Sequence, residues 1–283
     1  MLRKTLCIIS LLVMGGAAHA NDLITVYRQA VLTNPQLKAA AASLQAVKEQ
    51  RPQAIAGLLP TLGISSSLKR KRFKARDPSQ PARFSTDKIA SLDLRQPLFH
   101  YESWIQLKQS DSEIAAAEAD YSAAEQSLMV LVAERYFKVL DAQDNVEFAE
   151  AEKSAIGRQL DQAKQRFDVG LIAITDVKAA QARYDLSSSL EIQATSGLVQ
   201  AKDSLREVAG TYYDNLAPLK ADLKLERPQP DSPDSWIAQA EKQNLKIMAA
   251  QARTETAQQE IRRQRAGHLP TLDLNASASY IDI

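Results

Sequence analysis

The residues of this chain whose types and spacing could do chemistry are few, and what they suggest is binding rather than reaction. Residues 69–76 read Lys69-Arg70-Lys71-Arg72-Phe73-Lys74-Ala75-Arg76, six positive charges in eight positions. Such a run attracts phosphate, whether of a nucleic acid or of a lipid headgroup. His100 and His268 stand alone, and neither lies at i, i+4 from a Glu or a second His, the spacing by which a helix offers a metal two ligands. The chain has no G-x-S-x-G, P-loop or G-x-G-x-x-G, and its Asp and Glu residues recur along helical faces as solvated pairs do. No enzymatic activity, metal or cofactor is expected. The break Phe167-Asp168-Val169-Gly170-Leu171-Ile172-Ala173-Ile174-Thr175-Asp176 is a helix stop and restart. Gly170 supplies a left-handed residue, Thr175 a cap, and Asp176 a negative charge in the new first turn.

The elements that position these residues are long. No proline falls between Pro97 and Pro218, so helices there need never break. From Trp104 to about Phe167 a seam runs through Ile114, Ala117, Tyr121, Ala124, Leu128 and Leu131, then Ile156, Leu160, Ala163 and Phe167. Steps of three and four residues are those of a coiled coil. At ~1.5 Å per residue, such a helix is a rod of roughly 100 Å. A second helix, from near Thr175 to near Gly210, continues the pattern with Val177, Gln181, Tyr184, Leu198, Ala201, Leu205 and Val208. Two antiparallel rods of unequal length therefore meet at Gly170. Beyond them Pro218, Pro228, Pro230 and Pro233 mark an extended connector, residues 211–233.

Residues 1–20 read as a cleavable export signal: Arg3 and Lys4, an apolar run over residues 6–14, and Ala18-His19-Ala20. The run is too short to span a bilayer. The one cysteine, Cys7, lies inside it, so the mature chain is expected to carry neither disulfides nor an acyl anchor. Across 283 residues, 45% apolar, 35 Lys and Arg balance 34 Asp and Glu. Disorder and a general affinity for nucleic acid are both excluded, and export removes the basic run from the compartment where nucleic acid is available.

The chain also repeats itself. Residues 29–62 align onto residues 239–272 without a gap, matching Asn34 with Asn244 and Ala56-Gly57-x-Leu59-Pro60-Thr61-Leu62 with Ala266-Gly267-x-Leu269-Pro270-Thr271-Leu272. Each copy is an Ala-rich helix stopped by Gly-x-x-Pro, after which apolar residues alternate. Leu62, Ile64 and Leu68 alternate with Gly63, Ser65, Ser67 and Lys69, and Ala90, Leu92 and Leu94 with Ser91, Asp93 and Arg95. In the second copy Leu272, Leu274, Ala276, Ala278 and Tyr280 alternate with Asp273, Asn275, Ser277 and Ser279. These are strands with one dry face, a pattern shared by outer-membrane barrels and half-buried soluble sheets. The basic run is expected in a loop between the first two.

Residues 155–185, with Asn34-Pro35, Leu59-Pro60 and Gln96-Pro97-Leu98-Phe99, resemble the TolC family of outer-membrane efflux and type I secretion channels. The resemblance spans essentially the whole mature chain. It implies an α+β membrane protein, with long antiparallel coiled-coil helices forming a periplasmic α-helical tunnel and strands contributing to a trimeric outer-membrane β-barrel. The implied protein is a homotrimer in the outer membrane of a Gram-negative bacterium. It would be a passive duct for drugs or proteins, recruited by a periplasmic adaptor and an inner-membrane pump or ABC exporter. The resemblance also implies that Val169, Gly170, Leu171 and Thr175 form the tip where the adaptor docks, and that Thr175 and Asp176 belong to the periplasmic gate. The basic run would face lipopolysaccharide phosphates on the outside; it is more basic than the family pattern.

The implied domains are a signal over residues 1–20, a first repeat over 21–210, the linker over 211–233, and the start of a second repeat over 234–283. Gly57, Leu59, Pro60, Gly267, Leu269 and Pro270 mark the passage from helix to strand in each repeat. The second repeat is expected to be cut short, so that three strands per subunit leave an odd number in a trimer and the chain alone does not conduct. A soluble periplasmic coiled-coil adaptor or scaffold is the competing expectation. It accounts for the signal and the seams but not for the duplication.

Overall fold

The computed structural model describes residues 21–73, 83–220 and 227–282. The export signal assigned to residues 1–20 lies outside them, as do Lys74, Ala75 and Arg76 of the basic run. The elements are α1 (Leu23–Thr33), α2 (Pro35–Lys48), α3 (Gln50–Ala56), β1 (Thr61–Phe73), β2 (Arg83–Phe99), α4 (Tyr101–Asp168), α5 (Ile174–Ala209), α6 (Pro233–Gln243), α7 (Leu245–Ala266) and β3 (Leu272–Asp282). Contacts divide the chain into two units, residues 1–34 with 128–225 and residues 35–127 with 226–283. These units cut across the sequence repeat, because α4 leaves one and enters the other.

In the first unit α1 packs on the end of α5. Asp22 caps α1 by accepting from the Thr25 amide at 2.8 Å, which holds its carboxyl below the usual carboxylate range. The helix stops at Asn34 because Pro35 disfavours helical backbone before it. Its last side chains then satisfy the open end of α5: Thr33 Oγ1 donates to the Ala209 carbonyl at 2.8 Å, and Asn34 Nδ2 to that of Val208 at 3.3 Å. Gly210 closes α5 at φ 71°. Val26, Ala30, Leu205, Val208 and Ala209 are buried together with Val132, Tyr136 and Val139 of α4. The Tyr136 hydroxyl donates to the Ala217 carbonyl at 2.7 Å, next to the short bridge between Asn21 and Leu216, and burial pushes its pKa up.

The second part of α4 and α5 run antiparallel: Lys153 pairs with Glu191, while Gly157, further along α4, faces the ring of Tyr184, which lies earlier on α5. Of the expected seam, Leu128, Leu160, Ala201, Leu205 and Val208 are buried. Ile114, Ala117, Tyr121, Ala124, Leu131, Ile156, Ala163, Val177, Gln181, Tyr184 and Leu198 are half-buried, and Phe167 is exposed. A stripe this narrow covers only one side of each helix.

In the second unit the three strands form one antiparallel sheet in the order β1-β2-β3. Cross-helix ion pairs link the helices of this unit to one another, among them Lys48 with Glu118 at 2.9 Å, Arg51 with Asp111 at 3.0 Å and Arg263 with Glu102 at 3.1 Å. The charges therefore do more than line solvated faces. Strand β1 reaches Phe73, so residues 69–73 are strand rather than the expected loop. The reason is tertiary: each of them pairs with β2, and Lys71 meets the buried Asp87.

The two left-handed glycines predict different costs. A Cβ on Gly210 would lie 2.8 Å from Thr33 Cβ, whereas one on Gly170 meets nothing within 4 Å. Gly210→Ala should lose about 2–4 kcal/mol, strain plus overlap, and Gly170→Ala about 1 kcal/mol, strain alone. Denaturant unfolding followed by circular dichroism measures both; equal losses would contradict the packing of α1 on α5.

Candidate functional site

Three places hold the residues singled out by the sequence. The first is the turn between α4 and α5. Leu171 N–H donates to the Arg166 carbonyl and Gly170 N–H to that of Phe167, each at 2.8 Å. This pair of bonds, with Gly170 at φ 78°, is a Schellman motif. The motif usually tucks an aliphatic residue back onto the helix, but here Val169 is 70% and Leu171 73% exposed. The turn thus holds two bare aliphatic side chains on either side of a fixed glycine. Thr175 and Asp176 are exposed in the first turn of α5. Contrary to the expectation from sequence, Thr175 does not cap α5: Ala173 occupies the cap position without a side-chain bond, one residue before the helix begins. Asp176 does stand where a negative charge favours a helix start.

The second place is the pair of passages into the sheet, and they match in detail. Gly57 has φ −65° and ψ −13°, Gly267 φ −60° and ψ −15°. Leu58 and Leu59 N–H donate to the Ile55 and Ala56 carbonyls at 2.9 and 3.2 Å; His268 and Leu269 N–H donate to those of Arg265 and Ala266 at 3.2 and 2.9 Å. Neither glycine is left-handed, so the stop comes from Pro60 and Pro270, which cannot donate onward. Close by, His100 Nε2 lies 3.0 Å from Asp273 Oδ1, which also accepts from Arg95 at 3.2 Å. His100 is therefore partnered, across a sequence separation that carries no local signal.

The third place is the sheet itself. Cross-strand partners share a face, so the register stacks Leu62, Leu94 and Ala276, then Ile64, Leu92 and Ala278, then Ser66, Ala90 and Tyr280. This face is exposed, with Ile64 at 81%. The opposite face stacks Gly63, Asp93 and Ser277 and then Ser65, Ser91 and Ser279, where the Ser65 and Ser91 hydroxyls are 2.7 Å apart. One apolar row, Ile89 and Ile281, interrupts it beside Ser67. The sheet can thus separate an apolar medium from water. Among the described residues no cluster of three or more potential metal ligands occurs, and no helix is long and apolar enough to cross a membrane.

Electrostatics in this unit centre on α7. Arg263 grips Glu260 through both oxygens at 2.8 Å, and Gln264 adds a bond at 2.6 Å. Together they hold the Glu260 carboxyl down at about 2, against an ordinary 4.5, while Arg263 is pushed up. A depressed carboxylate stabilises the fold above its unfolded pKa and loses that contribution as pH falls through the folded one. Acid unfolding between pH 4.5 and about 2 should therefore be partly a Glu260 titration. Glu260→Gln should flatten the pH dependence of the melting temperature there; an unchanged slope would contradict the pairing.

Comparison with known proteins sets these features in context. Residues 26–211 match the family model described as Outer membrane efflux protein. Outer membrane protein TolC of Escherichia coli is 38% identical over 97% of this chain and 55% of its own length. The alkaline protease secretion protein AprF of Pseudomonas aeruginosa is 28% identical over 94% of this chain and 57% of its own. The chain thus spans a little over half the length of these relatives. The crystal structure of the Campylobacter jejuni CmeC outer membrane channel superposes with a TM-score of 0.77 at 18% identity, over 92% of this chain and 61% of CmeC. That likeness shows the fold.

Proposed function

The chain belongs to the outer membrane efflux protein family, and on that premise we propose that it is a subunit of an outer-membrane channel for efflux or type I secretion. The observation that carries this reading is the two-faced sheet, dry across Leu62, Leu94 and Ala276 and polar across Gly63, Asp93 and Ser277. The described residues leave the apolar face of this sheet exposed, with water suited to the other, and a closed barrel in a bilayer covers the first while leaving no unpaired edge. Closure requires strands beyond these three, and membership of the family, not the sheet alone, supports a homotrimer as the assembly. The helices, whose seams are only half covered, extend the duct into the periplasm. The duct itself is passive and catalyses nothing. The name of one relative, an alkaline protease secretion protein, supports proteins as cargo, and the family's description as an efflux protein supports small molecules such as drugs.

The turn at Gly170 is the docking tip. Val169 and Leu171 offer apolar contact to a periplasmic adaptor, Gly170 allows close approach of its backbone, and Thr175 adds a hydroxyl. An inner-membrane pump or ABC exporter drives transport through that adaptor. Asp176, with Thr175, contributes to a gate at the same end. Outer-membrane lipid surrounds the dry face, and lipopolysaccharide is a partner for the basic run.

Two measurements test this reading. In a channel-deficient Gram-negative host, the chain joined to the remaining part of a TolC relative's second repeat should fractionate with the outer membrane as a trimer; a soluble periplasmic monomer would overturn the proposal. Leu171→Asp puts a charge where an apolar contact forms, so adaptor cross-linking should fall about tenfold and drug tolerance with it. Unchanged cross-linking and tolerance would remove the tip from the docking surface.

A further inference from the structure

The hairpin of β1 and β2 carries its positive charges on both faces, and they are not alike. Alternation puts Lys69 and Lys71 on the polar face with Ser65 and Ser67, and Arg70 and Arg72 on the dry face with Leu62, Ile64 and Leu68. Lys71 is neutralised by Asp87 at 2.5 Å, and Lys88, beside Leu68 on the dry face, by Asp282 at 3.0 Å. Arg70 and Arg72 pair with no carboxylate among the described residues. Both sit instead over one ring, Phe84, with guanidinium carbons 5.0 and 5.7 Å from its centroid. Phe84 is the direct partner of Arg72 in the register and is itself exposed.

Position along the strand selects the surroundings of this pair. At ~3.4 Å per residue and a barrel tilt of about 40°, the apolar stretch from Leu62 to Leu68 rises about 16 Å, and Arg70 and Arg72 stand about 21 and 26 Å above Leu62, at the edge of a lipid-facing band about 25 Å tall. Arg70 and Arg72 come next, at the end of the hairpin away from the helices. An arginine on the lipid face costs ~2–4 kcal/mol at the bilayer middle and almost nothing at its border. The cations therefore stand at the border, where an aromatic ring is also favoured. Stacking on Phe84 spreads the two guanidinium groups over one support and leaves planar donor forks, the geometry that matches phosphate oxygens in bidentate pairs.

We propose that Arg70, Arg72 and Phe84 form a binding site for the phosphate of an anionic glycolipid in the outer leaflet. The site rests on the membrane-facing reading of the sheet and adds to it which cations of the basic run meet the lipid, and which do not. Lys69 and Lys71 face the other way and take no part. The acyl chains of the same lipid lie against Leu68 and Ile64, so the ligand is held at both ends.

The test uses the full chain in detergent micelles, where binding does not require insertion into a bilayer, with bisphosphorylated lipid A as probe. Arg70→Gln with Arg72→Gln should weaken binding about tenfold or more, since two charge-assisted contacts are lost. Lys69→Gln, which removes one charge from the opposite face as single Arg70→Gln does from the dry face, should change binding less than about twofold, and Arg70→Gln more than that. Arg70→Lys with Arg72→Lys keeps the charge and guards against misfolding; it should bind between the wild type and the double Gln variant. Dephosphorylated lipid A should bind at least about tenfold more weakly, and inorganic phosphate should not displace the lipid. Equal binding by the double Gln variant overturns the site. So does a loss in Lys69→Gln matching that in Arg70→Gln, which means net charge alone, or full displacement by inorganic phosphate, which means a free-anion site. Insertion of the same proteins into phosphatidylcholine vesicles separates the two claims: failure there with the lipid A pattern intact rejects the channel and leaves the site.

Discussion

A strand repeats every two residues, so the bonded register between β1, β2 and β3 decides everything this sheet can face. With Leu62 opposite Leu94 and Leu94 opposite Ala276, apolar side chains add up on one side and serines on the other. A slip of one residue would exchange the faces strand by strand and leave no continuous dry surface. The polar face even carries its own ties, such as the contact of the Ser65 and Ser91 hydroxyls at 2.7 Å.

The register is set where the helices hand over to the strands. Both passages end a helix with the same backbone angles and the same pair of bonds, then forbid continuation with a proline. Each strand consequently starts at a fixed phase: Thr61 after Pro60, Leu272 soon after Pro270. Arg95, His100 and Asp273 tie β2, the residue before α4, and β3 together at this level, with contacts of 3.0 and 3.2 Å. In the first unit the requirement reverses. There the helices need a sharp, fixed reversal, and the Schellman motif at Gly170 supplies it while leaving Val169 and Leu171 bare.

Much of this was legible in the sequence because periodicity reports which residues share a face. The alternation of Leu272, Leu274, Ala276 and Ala278 and the three-four steps ending at Leu205 and Val208 both match the exposed sheet face and the buried end of α5. Gly170 was legible for a local reason, since only its backbone angle was at stake. Three features were not legible. A run of five charged or aromatic residues from Lys69 to Phe73 looks like loop, and it became strand only through pairing partners many positions away. The bond between His100 and Asp273 joins residues that no local window contains. Thr175 has the chemistry of a cap but sits two residues too late, because the extended backbone falls at Ala173.

The two faces of the sheet make the most direct target. Cys7 is the chain's only cysteine, so single cysteines on a Cys7→Ser background can be placed along β1, β2 and β3 and probed in native outer membranes. Cysteines at Leu62, Ile64, Leu92 and Ala278 should react with a membrane-soluble maleimide and resist a charged one, while those at Gly63, Ser65, Asp93 and Ser277 should react with the charged reagent as well. Equal reaction of both sets with the charged reagent would mean that the dry face meets water, and the account of this sheet as a barrel wall would be wrong.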